Sequence, residues 1–265
     1  MTPDHTPPQP ARSPARPPAR PPARSTARLT AVVVGVSAWL SGCALVPAGG
    51  LDDAVQSLGN QSDSVARVPS LPAAARPAWR PGDVFVFGRS TVRRIVSGQG
   101  DRWVWQTTDG QSYTTTGHFF VPIVDQTLPG RHIRSRIEGR PETLWPLQTG
   151  RSVEFTEHRH QKQTVFGIEQ TLVQRWRCEV VDTRYVSVPA GDFEAFHVRC
   201  AARSVSTGLP GQIMTWDYAP ALGHYVQRTW YEGGRVRQSV LSAALPGELA
   251  TEARLQAVLL RLQND

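Results

Sequence analysis

The sequence predicts a mainly β fold: an antiparallel twisted sheet forming an open or flattened barrel, with one C-terminal amphipathic helix. Three observations carry the prediction. Beyond Gly82 the apolar residues recur with period two, in short runs bounded by Gly, Pro and Asp, as in half-buried strands. Gly233-Gly234 and the Pro189-Ala190-Gly191 stretch have hairpin-turn chemistry between such runs. After the breaker Pro246-Gly247 the period changes, and Leu249, Ala253, Leu255, Val258, Leu259 and Leu262 fall at helical spacing. The chain therefore divides into 1–42, a leader; 43–81, a tether; 82–245, the β domain; and 246–265, the helix.

The leader opens with P-A-R and P-P-A-R units over residues 1–28, which hold nine of the 22 prolines and cannot bury a core. Fourteen nearly all apolar or small residues follow, Leu29 to Gly42. As a helix they reach roughly 21 Å, against about 30 Å for a bilayer core, which suits a signal-peptide apolar segment better than a membrane span. From Asn60 to Pro81 the chain is rich in Ser, Ala and Pro with no periodic apolar face, the composition of a flexible spacer.

The stretch Leu40-Ser41-Gly42-Cys43 resembles the lipobox of bacterial lipoproteins. The resemblance implies that Cys43 is diacylated and that the chain is cut before it. The mature protein would then be tethered to a membrane in an exported compartment. Ala44 after the cysteine, in place of Asp, implies the outer membrane, facing the periplasm. The competing reading is a buried core helix with an ordinary cysteine. Against it stand five arginines upstream and no acid between Asp4 and Asp52.

In the β domain, Val84 to Phe87 reads as a buried strand. Thr91 to Val96 and Trp103 to Thr107 flank a Gly-rich hairpin, and Ser112 to Val124, Arg131 to Ile137 and Arg151 to His158 are further strands. Val173 to Ala202 is the best-defined region. Trp176, Cys178 and Val180 share one strand face, and Phe196, Val198 and Cys200 share one face of the returning strand. Gln212 to Tyr218, Tyr225 to Tyr231 and Arg235 to Leu241 complete roughly ten strands.

Cys178 and Cys200 leave two readings open, a disulfide or two buried thiols. An oxidising compartment favours the bridge. A three-residue turn at Pro189–Gly191 instead sets Val180 opposite Cys200 and leaves the cysteines diagonal, too far apart to bond without a longer loop or an extra bulge near Asp182-Thr183.

Charge excludes one class of partner. The leader carries much of the formal +7, only +3 remains beyond it, and no basic run interleaved with aromatics marks a nucleic-acid surface. Lys162 is the sole lysine, which argues against a lysine nucleophile. His158 and His160 share a strand face beside Glu157, but a metal site needs a third ligand such as His132 or His118, so solvated histidines are the better reading and no metal or cofactor is expected. Trp103 with Trp105, and Trp216 with Tyr218, line strand faces that read as core before they read as a sugar- or lipid-binding strip. No local catalytic motif occurs, and no catalytic residue is assigned.

Three segments, Leu144-Trp145-Pro146-Leu147, Val188-Pro189-Ala190-Gly191-Asp192-Phe193 and Tyr218-Ala219-Pro220-Ala221-Leu222-Gly223, resemble a group of proteobacterial envelope proteins that share a VPAG-x-F turn and a YAP-x-x-G loop. The resemblance spans Gly82 to Leu241 and implies an antiparallel β domain without implying an activity. The expected function is a lipid-anchored, non-enzymatic binding module for an envelope protein, glycan or lipid. The alternative is a carrier of a lipid or acyl ligand in a half-barrel cavity.

Overall fold

The computed structural model describes residues 70–165, 167–232 and 235–264; Cys43, with the leader and most of the tether, lies outside them. Twelve antiparallel strands form a closed barrel: β1 (Val84–Phe87), β2 (Thr91–Gln99), β3 (Arg102–Thr107), β4 (Ser112–Thr116), β5 (Asp125–Leu128), β6 (Arg131–Gly139), β7 (Ser152–Gln163), β8 (Glu169–Val188), β9 (Gly191–Ser204), β10 (Pro210–Ala219), β11 (His224–Glu232) and β12 (Arg235–Leu245). Each strand pairs with its sequence neighbour, and β1 closes the ring on β12 through Val84↔Leu245 and Phe85↔Ala244. Closure removes both sheet edges.

The C-terminal helix α1 (Glu252–Asn264) therefore has no sheet edge to cover. It lies on the outer wall instead, where Leu255, Leu259 and Leu262 pack over Val84, Val86 and Val92. Alternation explains this. Phe85 and Phe87 face the interior, so Val84 and Val86 face outward and need a cover. Asp83 fixes the approach by accepting from the Gly247 N–H at 2.9 Å.

The β8–β9 hairpin corrects the register set out above. Its turn is two residues, Pro189-Ala190, with Val188 paired to Gly191, and a bulge falls between Val180 and Asp182. Together these move Cys178 directly opposite Cys200, with a Cα–Cα distance of 4.0 Å and the two sulfurs bonded. Gly191 takes φ of +133°, which a side chain would strain. The turn reaches across to β12, where Ala190 N–H donates to the Leu241 carbonyl at 3.3 Å.

Two further expectations change. Ser112 to Val124 is one strand by pattern, but the ladder stops at Thr116 and resumes at Asp125. His118-Phe119-Phe120-Val121 is bulky at consecutive positions, so no alternating strand buries all of it. The segment turns into the barrel, and Phe119 stacks on Tyr218 with ring centroids 4.9 Å apart. Gly117 is required at the bend because the Arg76 guanidinium occupies the place of a Cβ.

The end of the tether also belongs to the domain. Ala74 bridges to Leu147, Leu71 packs on the core, and Trp79 is buried with its indole N–H donating to the Gly223 carbonyl at 3.0 Å.

Candidate functional site

Connections alternate between the two ends of an antiparallel barrel. At one end lie residues 70–81, 117–124, 140–151 and 220–223, and these fill it. Leu144 and Leu147 are fully buried, Trp145 donates to His118 Nδ1 at 3.0 Å, and Trp79 packs edge-on to Trp105 at 5.1 Å. The three recurrent segments, LWPL, VPAG and YAP-x-x-G, all lie at this end. They build a floor.

No inserted segment fills the other end among the described residues. Its hairpin turns, 164–168 and 205–209, expose Val165 (73%) and Leu209 (64%). Between floor and rim lies a cavity of about 390 Å³, within the ~300–1,000 Å³ range of small-molecule sites. Its lower wall is aromatic, with Trp105, Phe119 and Trp176, and Trp216 also lines it.

Its upper wall carries Arg93 from β2, Arg159 from β7 and Arg228 from β11. Pairing explains why they point inward. Arg93 is opposite Phe85, and Arg228 is opposite Trp216, and cross-strand partners share a face.

The three arginines differ in what answers their charge. Arg159 holds Glu157 with two hydrogen bonds, Nε at 2.9 Å and Nη2 at 3.1 Å. Glu157 is fully buried and also accepts from Ser135 Oγ at 2.8 Å and Trp176 Nε1 at 3.0 Å. Arg93 donates to the Tyr225 hydroxyl and lies over Phe87 at 4.8 Å. Arg228 meets Met214 Sδ at 3.5 Å and the Trp230 ring at 4.9 Å, and its buried Nε has no hydrogen-bond partner among the described residues. Among the described residues, the charged and phenolic groups that act on these two are each other, Tyr113 and Tyr225.

Burial pushes His224, Tyr113 and His118 toward their uncharged forms. Burial pushes His224 down to about 3, with its Nδ1–H bonded to the Tyr225 carbonyl at 2.9 Å and its ring stacked on Phe85. Burial pushes the Tyr113 hydroxyl up to about 12, although Arg93 pulls the other way. Burial lowers His118 as well, with Arg76 adding to it. For Arg228, burial and the repulsion of Arg93 lower the pKa. For Arg93, burial works against the cation, but Tyr225 and Tyr113 outweigh it and the pKa lies above its ordinary value.

The histidines singled out as metal candidates separate. His158 bonds Glu138 at 2.9 Å, His160 faces Glu169 at 3.6 Å, His132 faces Asp125 at 3.3 Å, and His118 sits in the floor. No group of three metal-ligating side chains occurs among the described residues. Glu157, read as their neighbour, faces the interior because it alternates with them. Both aromatic pairs, Trp103 with Trp105 and Trp216 with Tyr218, pack in the lumen core. Arg93 and Arg228 went unmarked in the sequence. Their signal is alternation: Arg93 shares a face with Ile95, and Arg228 with Trp230.

No family model matches the chain, and no curated protein matches it. Among solved structures it is similar to the hypothetical lipoprotein YmcC from Escherichia coli, at 7% identity over 62% of this chain and 84% of that one, with a TM-score of 0.43. It is also similar to a candidate exported protein of YmcC-like fold from Bacteroides fragilis, at 12% identity over 66% of this chain and 100% of that one, TM-score 0.36. A candidate lipoprotein from Parabacteroides distasonis has 12% identity, the same coverage and a TM-score of 0.32. None of them carries a residue assignment to this chain.

Proposed function

We propose that this chain is a lipid-anchored envelope protein whose barrel lumen binds a small molecule with an apolar body. The observation that carries the reading is the cavity of about 390 Å³ standing on an aromatic floor. A protein with no ligand to hold gains dispersion energy by filling such a space with side chains. The apolar hairpin tips at the open rim give an amphipathic ligand a route past water.

Binding suits the lumen better than catalysis. A general acid or base works with a pKa near the operating pH. The titratable groups lining the cavity are arginines, His118 and His224, whose pKa burial lowers, Tyr113, pushed up to about 12, and Tyr225, which is bonded to Arg93. The lipobox-like segment at Cys43 supports anchoring at the outer membrane on the periplasmic side.

Native mass spectrometry of the full-length chain purified from its host tests the lumen. One bound small molecule, removable by organic solvent, is expected, and a protein of unliganded mass that also takes up no added alkyl compound overturns the reading. For the anchor, radiolabelled palmitate should enter the wild type and not the Cys43→Ala variant; equal absence of label from both would overturn it.

A further inference from the structure

We propose that Arg93 and Arg228 form the recognition site for an anionic head group (phosphate, sulfate or carboxylate) on an amphipathic ligand whose apolar part lies against the floor. The inference rests on the lumen reading above and adds the ligand's charge and orientation to it.

Two cations facing one cavity are costly to maintain. Taking a guanidinium out of water is unfavourable, and buried charges are normally compensated by acids or left solvated. Arg159 follows that rule through Glu157. Arg93 and Arg228 lie within each other's field and share the same two phenol neighbours, and no acidic group among the described residues acts on either. A ligand anion supplies the missing charge. Guanidinium forks match the paired oxygens of carboxylates and phosphates, and the buried Nε of Arg228 is a donor with nothing yet to bond.

The phenols complete the site. Tyr113 keeps its proton far into the alkaline range and offers an O–H to an anion. The Tyr225 oxygen already accepts from Arg93, which leaves its own proton to donate. A neutral ligand would supply no countercharge to either guanidinium.

Position sets the orientation. Arg93 and Arg228 sit in the upper wall, with Trp216 level with Arg228 as its cross-strand partner, while Trp105 lies one inward position deeper than Arg93 and Phe119 rises from the floor segment. A chain entering tail-first from the rim places its apolar part on the rings and its head beside the arginines.

The test uses the full-length chain in phosphatidylcholine nanodiscs, with the fluorescence of the lumen tryptophans as readout. Dodecyl phosphate, laurate, dodecanol and inorganic phosphate are titrated separately. The two anionic amphipaths should bind at least about tenfold more tightly than dodecanol, a difference of ~1.4 kcal/mol, and inorganic phosphate far more weakly than either. R93M/R228M should lose that advantage while its affinity for dodecanol stays within about twofold, since Met retains most of the apolar stem. R93K/R228K, which keeps the charge without the fork, should fall between wild type and R93M/R228M, and it keeps the question answerable if the Met variant misfolds.

Dodecanol binding as tightly as dodecyl phosphate overturns the head-group assignment and leaves the lumen reading standing. No binding of any alkyl probe overturns both. Inorganic phosphate binding as tightly as dodecyl phosphate shows a free-anion site and overturns the amphipath.

Discussion

Arg159 and Arg228 line the same lumen and sit in opposite circumstances. Arg159 is locked by a fully buried carboxylate that two further donors hold in place. Arg228 leans on a thioether and indole rings, with its Nε unbonded. The first arrangement is scaffold: remove one member and a buried charge is stranded. The second carries no such lock: Arg93 and Arg228 repel one another, and phenols and rings rather than a carboxylate answer them. Matched and unmatched cations within one cavity thus separate what builds the barrel from what the barrel is built to hold.

The contrast depends on a neutral floor, and acid is the most forceful way to break it. His224 is neutral in the fold with a pKa of about 3, against an ordinary value of about 6.5 when unfolded. Below pH 6.5 the unfolded chain takes up a proton that the native chain refuses. This contribution is complete above pH 6.5 and lost as pH falls from there toward 3, reaching ~4–5 kcal/mol. Urea unfolding at stepped pH checks it, and His224→Phe should flatten the slope.

Glu157→Ala attacks the matched side. It strands Arg159, Ser135 and Trp176 Nε1, and should cost about 3 kcal/mol by denaturant unfolding, the low end for a broken buried pair because Arg159 is 28% exposed. Replacing Cys178 and Cys200 by alanine tests the wall behind that site. It opens a loop of 22 residues and should also cost about 3 kcal/mol.

Arg228→Met has the smallest expected effect, within about 1 kcal/mol and in the stabilising direction, because it ends the burial of a cation and then its repulsion with Arg93. A loss as large as that of Glu157→Ala would erase the distinction between the two arginines.

Much of the barrel was legible in the sequence. Period-two runs place the long β8–β9 hairpin and the inward faces of Trp176, Cys178, Phe196 and Val198, because alternation is local. Closure was not, since the pairing of β1 with β12 joins segments at the two ends of the domain with no local signature. The bulge at Val181 and the two-residue turn at Pro189-Ala190 each shift register by one, and only their sum brings the cysteines together. Of the site, the aromatic floor was visible as residues without a location. Arg93 stood next to Arg94 in an ordinary basic pair, and only the cross-strand partner Phe85 turns it inward.

The most direct measurement is the thermal unfolding midpoint of the full-length chain and of R93M/R228M, each with and without saturating dodecyl phosphate. A ligand that binds only the native state at about 100 times its Kd stabilises by ~2.7 kcal/mol. A raised midpoint is expected for wild type, with little or no rise for the variant. Equal shifts in both proteins, or none in wild type, would contradict it.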